Sequence, residues 1–144
     1  MLVKIGVIMN CEVREFMSSD LESLNELLET TFNVKKTNKK SCNDNLELIA
    51  FFDNKVIGYL VFSKLYDSVK DTYYGQINYV CVRDEYRNKG VATKLLDEVF
   101  QFSKKENISY IELTSNKKRI EANLLYKNKG FVIRDTNVFR KEIL

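Results

Sequence analysis

Apolar and polar residues alternate along this chain with two different periods. Leu21, Leu24, Leu27, Leu28 and Phe32 recur at helical spacing, which predicts an amphipathic helix over 19–32. Ser19, with Glu22 three residues later, has the form of a capping box at its start. Glu12 to Phe16 reads as a short strand ahead of it. Leu46–Phe52 and Val56–Phe62 are strand-like runs on either side of Asp53-Asn54-Lys55, a hairpin pattern. Thr72–Val82 is a third run that joins the same sheet. Residues 33–45 are polar and lysine-rich with no clear period, and read as a connecting loop.

The second half changes character. A strand over 76–82 leads through R-D-E-Y-R-N-K-G into a helix whose apolar face is Ala92, Leu95, Leu96, Val99 and Phe100. Lys104 and Lys105 in its last turn suit the negative end of the helix dipole. Ile108–Leu113 is the next strand. Strand, helix and strand at this spacing form a βαβ unit, so its two strands run parallel. A further helix covers about 118–128 and ends at Lys129-Gly130, where glycine takes the left-handed position. Phe131–Arg134 and Val138–Ile143 complete the pattern as two last strands. The predicted fold is α/β (α+β), a mixed sheet of about six to seven strands flanked by about three to four helices around a central βαβ unit. No repeat or linker interrupts it, so residues 1–144 read as one domain.

Composition narrows the chemistry. Net charge is +3, too small and scattered to mark a nucleic-acid binder, because 20 acidic residues balance the lysines. There is no histidine, which removes every mechanism built on an imidazole base, nucleophile or ligand. Cys11, Cys42 and Cys81 form no C-x-x-C pair and are odd in number. No metal site and no disulfide framework are expected, and a reducing cytoplasm is the simplest setting. Apolar runs such as Ile49–Phe52 are far shorter than the roughly 20 residues of a membrane span. The opening M-L-V-K-I-G-V-I-M-N-C reads as an edge strand or ordered tail rather than a signal peptide.

The segment Y-R-N-K-G-V-A, residues 86–92, lies between the strand and the helix of the βαβ unit. Backbone N–H groups at a helix N-terminus attract anions. Gly90 would let the backbone approach a ligand closely, Ala92 keeps the first turn slim, and Arg87 and Lys89 add positive charge. Alone, this could equally be a surface turn. A second stretch, E-A-N-L-L-Y-K-N-K-G-F (121–131), follows the next strand. Together with I-N-Y-V-C-V-R-D-E-Y-R-N-K-G-V-A-T-K-L-L it resembles the GNAT superfamily of N-acetyltransferases. The matching positions are Arg87, Gly90 and Ala92 in R/Q-x-x-G-x-G/A, then Ala122, Leu125, Tyr126, Gly130 and Phe131.

The resemblance implies direct acetyl transfer from acetyl-CoA to an amine, with no covalent acyl-enzyme. It places the pyrophosphate on the backbone of Arg87, Asn88, Lys89, Gly90, Val91 and Ala92. Val80, Cys81 and Val82 would pair with the pantetheine arm like an added strand, and an N–H of that strand would polarise the thioester carbonyl. Cys81 is then a packed or site-lining thiol. Asn123, and less directly Asn116, would meet the pantetheine amides, and Lys127 a phosphate. Tyr126 is the general-acid candidate for the leaving sulfur, against the alternative that it fills a helix–sheet interface.

The general base departs from the histone-acetylating branch. Its glutamate position falls on Gln76, which accepts no proton. Glu112, flanked by Tyr110, Ile111 and Leu113, is the candidate, against a solvent-facing carboxylate or a water relay. A non-catalytic acyl-CoA-binding domain is the rival reading, and a nucleic-acid module using the lysines at 35–40 and 117–118 a third. The acceptor amine is left open, and a homodimer is compatible with the family.

Overall fold

The computed structural model describes residues 8–34 and 45–144. The expectations for residues 1–7, for Lys35–Lys40 and for Cys42 lie outside the described residues. Two compact units make up the chain, Met1–Thr114 and Ser115–Leu144.

The first unit is a five-stranded sheet in the order β1-β2-β3-β4-β5. Its strands are β1 (Glu12–Glu15), β2 (Asn45–Phe52), β3 (Lys55–Asp67), β4 (Thr72–Val82) and β5 (Ile108–Leu113). Neighbours are antiparallel except β4 and β5, which are parallel across the helix α2 (Val91–Lys105). Helix α1 (Leu21–Phe32) joins β1 to β2. The β2–β3 turn works because Asp53 and Asn54 both take positive φ, 51° and 58°, the geometry that matches strand twist.

Alternation along the strands gives each helix its own sheet face. On one face Ile49, Tyr59, Val61 and Cys81 pack with Leu24 and Leu27 of α1. On the other, Ala50, Gly58, Leu60 and Phe62 meet α2, whose Val91, Leu95, Leu96 and Val99 are buried. Gly75 is required there by close approach: a Cβ on it would stand 2.2 Å from Cζ of Phe62. Phe62 in turn meets Phe102 of α2 edge-on at 5.9 Å.

The start of α1 differs from expectation. A 3-10 turn, Ser18–Asp20, precedes the helix, and no side chain caps it. Asp20 instead accepts two hydrogen bonds from the Arg14 guanidinium, at 2.7 and 2.9 Å, and one from the Met17 N–H at 2.8 Å. A bidentate charged pair outweighs one neutral cap bond, so Asp20 closes the turn and the Ser19–Glu22 capping box does not form. The guanidinium holds the Asp20 carboxyl below its usual range against the opposing effect of burial. The helix ends at Asn33, left-handed at φ 52°, whose N–H reaches the Glu29 carbonyl.

The second unit contains α3 (Ile120–Asn128). Gly130, at φ +91°, ends it, its N–H donating to the Lys127 carbonyl at 3.0 Å. The two strands expected over 131–134 and 138–143 are not formed. The fold class stands, with five strands and three α-helices among the described residues. An alternating apolar pattern specifies a strand only where a neighbouring strand takes its backbone hydrogen bonds. Val132, Ile133, Val138 and Phe139 remain exposed. No helix among the described residues is long and apolar enough to cross a membrane.

Candidate active site

The loop between β4 and α2 is held at both ends. Arg83 donates its backbone N–H to the Ile57 carbonyl at 2.8 Å and its Nε to the Val56 carbonyl at 2.6 Å. Its Nη2 reaches the Ser23 carbonyl at 3.2 Å, so one side chain ties β3, α1 and the loop together. Sequence reading passed over Arg83, since a lone arginine after a strand carries no pattern. A 3-10 turn, Asp84–Tyr86, follows. Arg87 then pairs with Asp84 at 3.0 Å and turns its Nε to the Val82 carbonyl at 3.4 Å, so its charge is shared within the loop.

Two left-handed residues, Asn88 (φ 59°) and Gly90 (φ 80°), swing the chain into α2. The first intrahelical bond runs from the Lys94 N–H to the Gly90 carbonyl at 3.1 Å. The N–H groups of Val91, Ala92 and Thr93 therefore precede the helical ladder, and no side chain caps them. No acidic residue stands in the first turn. This end of α2 suits an anion by backbone geometry and dipole. The Lys89 ammonium lies 5.7 Å from the Tyr86 ring centre.

Gly90 lies against Ile8. The Cβ it lacks would meet Ile8, 3.0 Å from Cγ2. Met9 donates its N–H to the Lys89 carbonyl at 2.8 Å beside it. The glycine is required by its φ and by the passing segment.

Beyond the loop, β4 offers an edge. Its last partner on β5 is the pair Ile77–Leu113. Along Tyr79–Val82, β4 pairs with β3, and no strand of the described residues flanks its other side. Val80, Cys81 and Val82 lie on this stretch. The Cys81 thiol points into the core with Tyr59 and Leu27, so the packed alternative describes its side chain. The cradle and this edge adjoin through Arg83–Gly90, and together they fit a phosphate group joined to a peptide-like chain.

Glu112 is half-buried on β5, opposite Gln76 in the register. Its neighbour Tyr110 stacks on Tyr74, ring centres 5.1 Å apart and 13° from parallel. Glu47, which sequence reading did not single out, is buried on the α1 face and accepts a hydrogen bond from the Tyr59 hydroxyl. A glutamate at an inward position between Asn45 and Ile49 was the available signal. Burial and the adjacent carboxylate push the Tyr59 phenol well above its usual range.

In the second unit Tyr126 is buried and meets Phe131 edge-on at 5.9 Å. Burial raises its phenol, with Arg119 opposing. Asn123 donates its side-chain amide to the Asn116 carbonyl at 3.0 Å, bracing the turn before α3.

Comparison with known families decides the assignment. The model of the Acetyltransferase (GNAT) family matches residues 11–131. The chain belongs to the GNAT acetyltransferases. Among curated proteins no relative matches the sequence. Solved structures share the fold. A transcriptional regulator from Bacillus halodurans C-125 is similar at a TM-score of 0.81 and 18% identity, covering 93% of this chain and 100% of that one. A ribosomal-protein-alanine N-acetyltransferase from Brucella melitensis biovar Abortus 2308 is similar at 0.80 and 17%, with 93% and 100% covered. A GNAT family acetyltransferase from Staphylococcus aureus subsp. aureus USA300_TCH1516 gives 0.74 and 25%, with 94% and 100% covered. Membership of this GNAT family implies acetyl transfer from an acyl-CoA donor.

Proposed function

We propose that this chain transfers acetyl directly from acetyl-CoA to a primary amine. The observation that carries the reading is the uncapped N-terminus of α2 beside the open edge of β4. Acetyl-CoA supplies an activated acyl carbon on a thioester. The backbone of Arg87, Asn88, Lys89, Gly90, Val91 and Ala92 holds the pyrophosphate, and the edge of Val80, Cys81 and Val82 pairs with the pantetheine amides. An N–H on that edge stabilises the oxyanion at the thioester carbonyl.

Glu112 accepts a proton from the incoming ammonium, which frees the nitrogen lone pair. The C–N bond forms, the C–S bond breaks with its electron pair going to the sulfur, and the acylated nitrogen releases its second proton to solvent. Tyr126 donates to that sulfur. Its raised phenol keeps the proton through neutral pH, so it serves the thiolate as a hydrogen-bond donor first and a proton source second. Asn123 positions the turn ahead of Tyr126 and meets the pantetheine from there.

The test mixes the protein with acetyl-CoA and a panel of primary amines, following release of free thiol. Amine-dependent release above hydrolysis supports the reading. Thermal stabilisation by CoA without any amine-dependent release would replace it by the acyl-CoA-binding alternative.

A further inference from the structure

Four polar residues stand in one line across the sheet. Asn45 pairs with Ser63, Ser63 with Gln76, and Gln76 with Glu112, spanning β2 to β5. Three strand spacings make the line roughly 14 Å long. Ser63 donates its hydroxyl to the Asn45 Oδ1 at 2.6 Å and accepts from the Asn78 Nδ2 at 2.9 Å. The β4 register shifts at Asn78. Such bulges re-aim side chains, and here the amide turns onto the row.

The row begins where the apolar floor ends. Ile49, Tyr59 and Val61 lie on the same face under α1, and the last residue of α1, Phe32, meets Tyr79 edge-on at 5.5 Å. On the far side stands the Tyr74–Tyr110 stack. Between these aromatic borders Gln76 and Asn78 are exposed, and Asn45, Ser63 and Glu112 half-buried. The row carries one carboxylate and no lysine or arginine. Lys70 lies over the Tyr110 ring at 5.0 Å and pairs with Asp67 at 3.9 Å.

We propose that the Asn45–Ser63–Asn78–Gln76 row is the acceptor platform, and that it selects a primary amine on an uncharged body rich in hydroxyl or amide groups. The inference rests on the acetyltransferase reading, because it places the amine at the fork where β5 stops and β4 continues. Glu112 draws the ammonium to that fork. Amides and hydroxyls along the row exchange hydrogen bonds with the neutral body. An anionic substituent meets the Glu112 carboxylate, and the neutral side chains of Asn45, Ser63, Gln76 and Asn78 bring no charge to offset its desolvation.

The experiment compares acetylation of glucosamine, glycinamide, β-alanine and n-butylamine by the wild type and by Asn78→Ala and Ser63→Ala. CoA affinity and melting temperature are measured on the same samples. The expected result is a kcat/KM for glucosamine or glycinamide at least about tenfold above that for β-alanine and n-butylamine. Each substitution raises KM for the favoured amine about fivefold, the size of one net hydrogen bond, and leaves CoA affinity and the n-butylamine KM unchanged. Glucosamine ahead of glycinamide identifies a hydroxylated acceptor, and the reverse an amide-bearing one. Preference for β-alanine or n-butylamine, or an unchanged KM in both variants, would overturn the platform and leave the acetyltransferase reading standing. CoA binding without transfer to any of the four or to a wider amine panel would overturn both.

Discussion

Replacing Gly90 by alanine separates two ways in which the β4–α2 loop can hold a phosphate. If the backbone does the work, the left-handed geometry that aims the Val91 and Ala92 N–H groups is decisive. If charge does the work, Lys89 matters as much. An L-residue at φ 80° costs about 1–2 kcal/mol. The new methyl also reaches 3.0 Å from Ile8 Cγ2, but Ile8 is 58% exposed and can move aside. The melting temperature should therefore fall by about 3–8 °C. Misdirecting one charge-assisted N–H bond costs about 1.5–3 kcal/mol, or roughly 10- to 150-fold in CoA affinity. Lys89→Ala removes one exposed charge, worth about 0.2–1 kcal/mol and no more than about fivefold. Calorimetric titration of CoA, well below both melting points, measures each. Ile8→Ala in the Gly90→Ala background relieves the packing and leaves the backbone effect, so CoA affinity should stay low. CoA binding by Gly90→Ala within twofold of wild type, or an equal loss in Lys89→Ala, would refute the backbone cradle.

Three further outcomes follow from the same geometry. Gly75→Ala drives a methyl into the buried Phe62 ring at 2.2 Å and should cost at least about 1–3 kcal/mol; Phe62→Leu should recover part of it in a double-mutant melt, and additive losses would contradict the clash. The Asp20 carboxyl is held below its unfolded value of 3.8, so its contribution is complete above that pH and is lost as pH falls through the folded value. Asp20→Asn should flatten the acid limb of a stability–pH curve and cost about 3 kcal/mol at neutral pH, the low end for a buried pair, because Arg14 keeps 24% of its side-chain surface in water; an unchanged acid limb would remove the ion pair from the account. Tyr126→Phe should lower kcat about 10²-fold or more with CoA affinity unchanged, and equal turnover would remove Tyr126 from its role.

Much of the molecule was legible from residue order. Strand and helix periods located β1 to β5 and all three helices, because each element buries one face and the burial imprints its spacing on the sequence. The β4–α2 turn was legible for a similar reason, since a strand-to-helix turn with Gly90 and Ala92 is a local arrangement. Local pattern misled where a competing tertiary contact was stronger. Ser19 looked like a cap until Arg14, six residues before Asp20 on β1, claimed that carboxylate. Phe131–Arg134 and Val138–Ile143 had strand patterns, but a strand is a property of two segments and needs a partner.

The sequence by itself determined the order of elements, the βαβ core and the two motifs that mark the acetyltransferase family, all of which depend on neighbours a few residues apart. Only the tertiary structure decided the register of the sheet. That register sets Asn45, Ser63, Gln76 and Glu112 in one line and stops β5 opposite Ile77. It also sinks Glu47 beside Tyr59. Which residues face one another across four strands follows from turn lengths and bulges acting together, and the Asn78 bulge leaves no trace in the local alternation.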